Sequence, residues 1–393
     1  MMDAHDDDDG RTVDSGSRRR FLAASGAAAA SSLAGCSGVL TGSSDDGDSG
    51  SVGLSDFRGS GPMVEQRGEP DGTSIDELPD LSGSLTVYLG GGEGGLYLTL
   101  IELLEQEYAD FEVQHQRNSS SDLANTIIEE SKAGAVQADA FLAVDAGSLG
   151  TVAREGAAAS LSDDVLEPVP DAFQDGEGRW VGFAGRARAV PYNTNELSAE
   201  DVPSSIQEFP ESDALADAMG WGPSYGAFQS MVTAMRLSRG DEATRSWLEA
   251  MLDAGVTQYS NEWEVSNAVA DGELNAGFAN HYYALRVQRD RPDAPIDLAF
   301  TENDAGALVN VSGAQLLDGS ENVDLAENFF RHLLSAEAQE FFATRTFAYP
   351  MIPGVEPVGG LPTIDELNPP DIDLTELADV SGTVDMLRDV GAL

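Results

Sequence analysis

The sequence predicts a mixed α/β chain with two lobes and a crevice. Three observations carry that expectation. At 393 residues the chain exceeds what a single hydrophobic core usually holds. Strand-like runs alternate with runs of helical period along most of its length. Near its start, Ser84–Leu89 reads as a strand, Gly90–Gly95 as a glycine loop and Leu96–Tyr108 as a helix. An open α/β sheet builds a ligand crevice at the C-terminal end of a strand in this way.

The elements follow in order. Phe111–Gln116 alternates like a strand, and Ser119–Asp122 opens a helix from Leu123 to Gly134. Hydroxyls at a helix start serve as N-caps or hold anions, and the cap is the commoner use. Ala138–Ala143 is a short strand that turns into a helix at Val144–Leu149, with Asp145 on the crevice side. Trp180–Phe183 and Arg186–Asn193 are extended, the second as a crossing between lobes. Trp221–Phe228 leads into a helix through Leu237, and Glu242–Leu252 is another. Asn261 precedes an amphipathic helix ending near Gly272, and an apolar strand then runs to Asn280. Ala307–Gly313 re-enters the first lobe, followed by helices at Ala326–Leu334 and Ala336–Thr344.

The first 36 residues read as an address. Arg18-Arg19-Arg20 precedes an Ala-rich run that ends at Leu33-Ala34-Gly35-Cys36. This order describes a twin-arginine export signal with a bacterial-type lipobox, so Cys36 is expected to become the lipidated first residue. Residues 37–83 are rich in Gly, Ser and Asp and read as a disordered tether.

With 21 Lys+Arg against 69 Asp+Glu, the formal net charge is −48. That disfavours nucleic acid and anionic membrane surfaces as charge-driven partners. Acid residues are spread along the whole chain and Lys132 is its single lysine. This looks like adaptation to high salt, where charge is screened within a few ångströms. One cysteine excludes an internal disulfide.

Asn280-His281-Tyr282-Tyr283 is the stretch with the most chemistry. A strand cannot aim adjacent side chains at one target, whereas a strand-to-loop or strand-to-helix transition can. Two convergent phenolates make a hard anionic oxygen site suited to Fe(III). The plainer alternative puts one tyrosine in the core and one on a surface rim.

Spread over residues 84–393, the pieces resemble the periplasmic ferric-iron-binding proteins of ABC importers. These have the two-lobed type II periplasmic-binding-protein fold, with a hinge and an inter-lobe cleft. The resemblance is carried by Ala138–Phe141 with Asp145–Leu149, Gly185–Arg188 with Tyr192-Asn193, and Trp221–Phe228. Ala268–Glu273, Asn280–Tyr283, Gly306–Gly313, Tyr349-Pro350 and Leu361-Pro362 continue it. It implies a first lobe of residues 84–188 and 307–347, and a second of 189–306 and 348–393.

The resemblance also implies a ligand set. Tyr282 and Tyr283 inherit the ferric role, with Tyr225 as a third phenol. Gly226, Ala227, Asn261 and Asn280 face a synergistic anion such as carbonate. Family members often place a His in the loop after the first strand and a Glu after the strand that here ends at Ala143. This chain has Glu93 and Asp145 there, hard donors able to substitute. His281 is expected to point away from the metal and pack. The implied function is non-catalytic capture of Fe(III) or a small iron chelate by a lipid-tethered monomer that delivers it to a membrane permease. The same fold with thiamine, a polyamine or an oxyanion is the second reading. A secreted enzyme is the third, disfavoured by the lack of a Gly-x-Ser-x-Gly or His-Glu-x-x-His motif.

Overall fold

The computed structural model describes residues 52–65, 67–91, 95–364, 366–378 and 380–393. The leader, Cys36 and Glu93 lie outside these residues.

The first half opens with a short helix α1 (Leu54–Phe57), then β1 (Gly83–Gly90), α2 (Leu96–Glu107), β2 (Phe111–Arg117) and α3 (Ser120–Ala133). Next come β3 (Ala140–Ala143), α4 (Ala146–Arg154), α5 (Asp163–Leu166) and the long β4 (Val181–Asn193). The two extended segments expected at 180–183 and 186–193 are thus one strand. Beyond it lie β5 (Met219–Trp221), α6 (Gly226–Arg239), α7 (Asp241–Asp253), β6 (Thr257–Gln258) and α8 (Glu262–Ala270). The remainder is β7 (Ala276–Gly277), β8 (Ala279–Asn280), α9 (His281–Asp290), β9 (Ile296–Ala299), β10 (Val309–Leu316), α10 (Val323–Leu333), α11 (Ala336–Phe341) and α12 (Ser381–Asp389).

Local chemistry accounts for the helix starts. Ser119 Oγ accepts from Asp122 N at 3.1 Å and Asp145 Oδ1 from Ser148 N at 2.7 Å, each satisfying an amide that the helix cannot pair. Helix α2 turns Tyr97, Leu100, Ile101 and Leu104 inward at helical spacing. Each large side chain so buried contributes about 2 kcal/mol.

Strand β4 organises the sheet. β1 pairs in parallel with β2 and β3, and β10 joins β3 to β4 in antiparallel register. The first part of β4, Val181–Ala187, pairs with β10, whereas Arg188–Asn193 pairs with β8, β9 and β7. β5 extends from β7, and β6 from β5, both in parallel. The hydrogen-bonded order is therefore continuous, because one strand serves both groups. A register shift between Ser312 and Gly313 skips Phe183, within the β10-paired half of β4.

Two segments depart from expectation. Residues 52–82 do not hang free. Phe57, Ile75 and Leu81 are buried in the core. Arg58 and Arg67 both pair with Glu340, at 2.8 and 2.6 Å, and that carboxylate is 1% exposed. Ser74 and the Ile75 amide bind Glu337 at 2.7 and 3.0 Å. Within the same wall, His332 on α10 places Nδ1 2.8 Å from Asn328 O and Nε2 3.0 Å from the Tyr108 hydroxyl. The Tyr108 hydroxyl also stands 3.3 Å from Ile75 O.

Residues 348–393, expected in the second lobe, divide their contacts. Tyr349 pairs with Gly185 on β4, and Met351 N donates to Gln339 at 2.7 Å. Val358 packs with Tyr282 and Leu285. A 3-10 turn at Leu374–Ala378 presses on α4, where a Cβ on Gly147 or Gly150 would stand 2.9 Å from Ala378 or 2.2 Å from Thr375. Helix α12 sits against α6 through Thr383 and Thr233, whose hydroxyls are 2.7 Å apart. Among the described residues no helix is long and apolar enough to cross a membrane.

Candidate functional site

A cavity of about 680 Å³ opens between the start of α6 and β8 on one side and the starts of α3 and α4 on the other. Tyr225, Gly226, Ala227, Asn280 and Tyr282 line the first side. Ser119, Ser121, Asn125, Asp145 and the Gly90–Gly91 backbone line the second. Arg186 and Arg188 of β4 complete the wall.

The tyrosine pair sits where the chain changes from strand to helix. Asn280 ends β8 and His281 begins α9. The Tyr282 and Tyr283 rings lie 4.6 Å apart, centre to centre. Tyr225, the residue before α6, brings its phenol 2.5 Å from that of Tyr283. Asn280 Nδ2 donates to the Tyr282 hydroxyl at 3.1 Å. Tyr282 is buried and Tyr283 half-buried. Tyr225 and Tyr282 line the cavity, and Tyr283 lies against both.

Burial pushes the Tyr283 phenol well above the ordinary tyrosine range, with further upward push from Tyr282 and from the bond to Tyr225. Without a cation this phenol stays protonated, and a strongly charged cation can displace the proton. The Arg286 guanidinium lies over the Tyr282 ring at 4.7 Å and the Tyr283 ring at 5.7 Å.

Behind the phenols lies a buried polar relay. Arg188 is 3% exposed and Glu262 fully buried, and Arg188 Nη1 pairs with Glu262 Oε1. The same Nη1 donates to Asn280 Oδ1 at 3.1 Å, and Asn280 N donates to Glu262 Oε2 at 2.8 Å. Arg188 Nε and Nη2 are buried without hydrogen-bond partners. They form the guanidinium edge best suited to grip a two-oxygen anion.

Several expected residues play other parts. Asn261 caps α8, accepting from Glu264 N at 3.0 Å, and its amide donates to Ser260. It is therefore a structural cap and does not line the cavity. Asp145 does line it, but both oxygens are engaged by Ser148, at 2.7 and 3.0 Å. Its role as a cap competes with a ligand role. Glu93 is outside the described residues. His281 points away, with Nε2 2.6 Å from Phe347 O and Nδ1 3.2 Å from Ala187 O. Burial lowers its pKa to about 4. Neutral imidazole has one N–H, so the closer Phe347 carbonyl takes it. Among the described residues no cluster of three or more His, Cys, Asp or Glu could hold a metal, which leaves the phenols as the hard anionic donors on this wall.

Arg186, Arg188 and Glu262 were not expected as site residues. One signal was available. Two arginines spaced by two on a strand share a face, and cations are scarce in this chain.

Comparison with known proteins fits this geometry. The model of the bacterial extracellular solute-binding protein family matches residues 99–366. The "Major ferric iron-binding protein" of Neisseria meningitidis is 29% identical over 58% of this chain and 72% of its own. The "Fe(3+)-binding periplasmic protein" of Serratia marcescens is 27% identical over 71% and 82%. Iron-bound HitA from Pseudomonas aeruginosa superposes with a TM-score of 0.67 at 28% identity, covering 78% of this chain and 99% of its own. A Trichodesmium protein solved with iron and citrate gives 0.65 at 22%, covering 79% and 99%. The fold is thus the two-lobed binding-protein fold with a cleft, and the relatives are binding proteins rather than enzymes. With its match over residues 99–366, the chain belongs to the bacterial extracellular solute-binding protein family.

Proposed function

We propose that this protein captures Fe(III) in its cleft and delivers it to the membrane subunits of an ABC importer. The observation that carries the reading is the three-phenol cluster, with Tyr225 and Tyr283 hydroxyls 2.5 Å apart and Tyr282 on the cavity wall. Tyr225, Tyr282 and Tyr283 supply phenolate oxygens, whose combined charge offsets that of Fe(III). Gly226, Ala227 and Asn280 face an accompanying anion such as carbonate at the start of α6, where helix amides and dipole favour negative charge. The names of the relatives support ferric cargo. A polyamine is disfavoured, because Arg186 and Arg188 line the cavity.

In this reading residues 84–188 and 307–347 build one lobe and most of the rest the other, closing about β4 by hinge motion. Lipid on Cys36, after export by the twin-arginine route, holds the protein at the outer face of the membrane. The test is the visible spectrum and iron content of protein purified without chelators. Iron–phenolate charge transfer colours the loaded protein. Tyr282→Phe and Tyr283→Phe each abolish or strongly shift the band, and Tyr225→Phe shifts it less. A double Tyr282/Tyr283 to Phe variant that keeps iron with an unchanged spectrum overturns the assignment.

A further inference from the structure

We propose that residues 58–65, with Arg67, form a strap that positions the tyrosine helix: anchored on α11, they hold Met63 against the apolar packing under Tyr282 and so set how firmly the site keeps its metal. The part about the metal rests on the ferric reading above, whereas the positioning of α9 stands without it.

The anchor is the first support. Glu340 of α11 is 1% exposed, and Arg58 Nε and Arg67 Nε both bind its Oε1, at 2.8 and 2.6 Å. Arg67 Nη2 takes Oε2 at 2.7 Å, which makes that grip bidentate. Gly59 N donates to Thr344 Oγ1 at 2.8 Å, and a Cβ on Gly59 would stand 2.5 Å from Thr344 O. The strap therefore lies directly on the backbone that follows α11. Its ion pairs keep their strength in high salt, because buried pairs are screened far less than exposed ones.

The foothold is the second support. Met63 packs against the cluster of Tyr282, Leu285, Phe347 and Val358. Tyr282, Leu285 and Arg289 follow one face of α9 at helical spacing, and the Arg289 guanidinium lies over the Phe347 ring at 5.5 Å. Arg67 reaches the same cluster from the chain before Val358, donating to Glu356 O at 2.7 Å and to Pro357 O at 3.2 Å. A cavity of about 310 Å³ opens between residues 60–64 and the outer part of α9 and β9. Among the described residues of the strap, Met63 is thus the apolar side chain that carries the packing on this cluster.

Phe347 is the third support. Its φ of +61° is left-handed backbone, an outlier for a bulky side chain. Such a conformation persists only where its surroundings over-determine it. The Phe347 carbonyl lies 2.6 Å from His281 Nε2, and His281 directly precedes Tyr282. The strap bears on a strained residue that is bonded to the first residue of the tyrosine helix.

The experiment compares wild type with Met63→Ala, Met63→Leu, Arg67→Met and Val165→Ala. Hydrogen exchange over residues 281–290 of the apo protein reads the helix. Loss of the visible band to excess EDTA, followed by stopped flow, reads iron release. Met63→Ala should raise exchange over that helix about tenfold and speed iron release about tenfold. Arg67→Met loosens the anchor with Met63 in place and should move both in the same direction. Met63→Leu keeps the volume and should leave both within about twofold of wild type. Val165→Ala opens a void at a buried position of α5, controls for general destabilisation and should also leave both within about twofold. Unchanged exchange in Met63→Ala, or an equal rise in Val165→Ala, overturns the strap. Wild-type iron release from a Met63→Ala protein with a loosened α9 overturns its hold on the metal. A wild type that takes up no iron overturns the ferric reading alone, and the exchange result then decides the strap.

Discussion

Acid should loosen this protein through a histidine remote from the cleft. Burial holds the His332 pKa at about 4, below the ordinary 6.5, with repulsion from Arg331 adding to it. The ring accepts from the Tyr108 hydroxyl and donates to Asn328 O. Protonation turns the acceptor nitrogen into a donor, forces the Tyr108 hydroxyl proton to turn away from the ring and places a charge in the buried wall. A histidine whose folded pKa is depressed contributes stability that is present above pH 6.5 and lost as pH falls toward 4. Taking those two values, the loss between pH 7 and pH 5 works out at about 1.8 kcal/mol. The side chain is fully buried, so solvent screening trims this only slightly. For a body this large, about 2 °C of melting temperature accompanies each kcal/mol. Scanning calorimetry at pH 7 and pH 5 on wild type and His332→Gln reads the difference directly. His281, also held near 4, is common to both proteins and cancels. The wild type should lose about 3–4 °C more than the variant over that interval. Identical pH dependence in the two proteins refutes the reasoning.

Other outcomes follow from the same contacts. Phe57→Ala empties a fully buried site and should cost about 3–5 kcal/mol in chemical denaturation, whereas a free tether predicts no change. Gly150→Ala drives a methyl against Thr375 and should destabilise by about 1–3 kcal/mol, with faster proteolysis of the segment from residue 374 onward. Cys36→Ala should release the protein from membranes into the medium, measured by fractionation, and intact residues 1–36 on the mature chain would contradict the lipobox.

Much of the frame was legible because backbone periodicity and turn chemistry are local. The strand, glycine loop and helix at 84–108 and the strand-to-helix turn beneath Tyr282 and Tyr283 could be read from neighbouring residues. The packing of residues 52–82 could not. Phe57, Ile75 and Leu81 are single apolar residues in a Gly-, Ser- and Asp-rich stretch, and the segment's ion pairs reach far along the chain, as with Arg58 and Glu340, 282 positions apart. At the site, Tyr225, Tyr282 and Tyr283 come together, whereas Asn261 and Asp145 are taken up as caps. Both are good N-caps, and capping is satisfied locally, ahead of any distant ligand. Arg188 was hidden inside an apolar run, where its partner Glu262 is invisible to sequence spacing.

Viewed as a mechanical part, β4 is a torsion bar common to both groups of strands. Its 13 residues are clamped along one half by β10 and along the other by β8, β9 and β7. Relative rotation of the two groups would be absorbed as twist along the bar, and the irregularity opposite Phe183, between Ser312 and Gly313, adds local compliance within its β10-paired half. Arg186 and Arg188 are mounted on the bar itself. If they grip the anion proposed above, gripping and twisting would be one degree of freedom, with no lever arm between them. Substitutions there that alter affinity should alter the rate of closure in step.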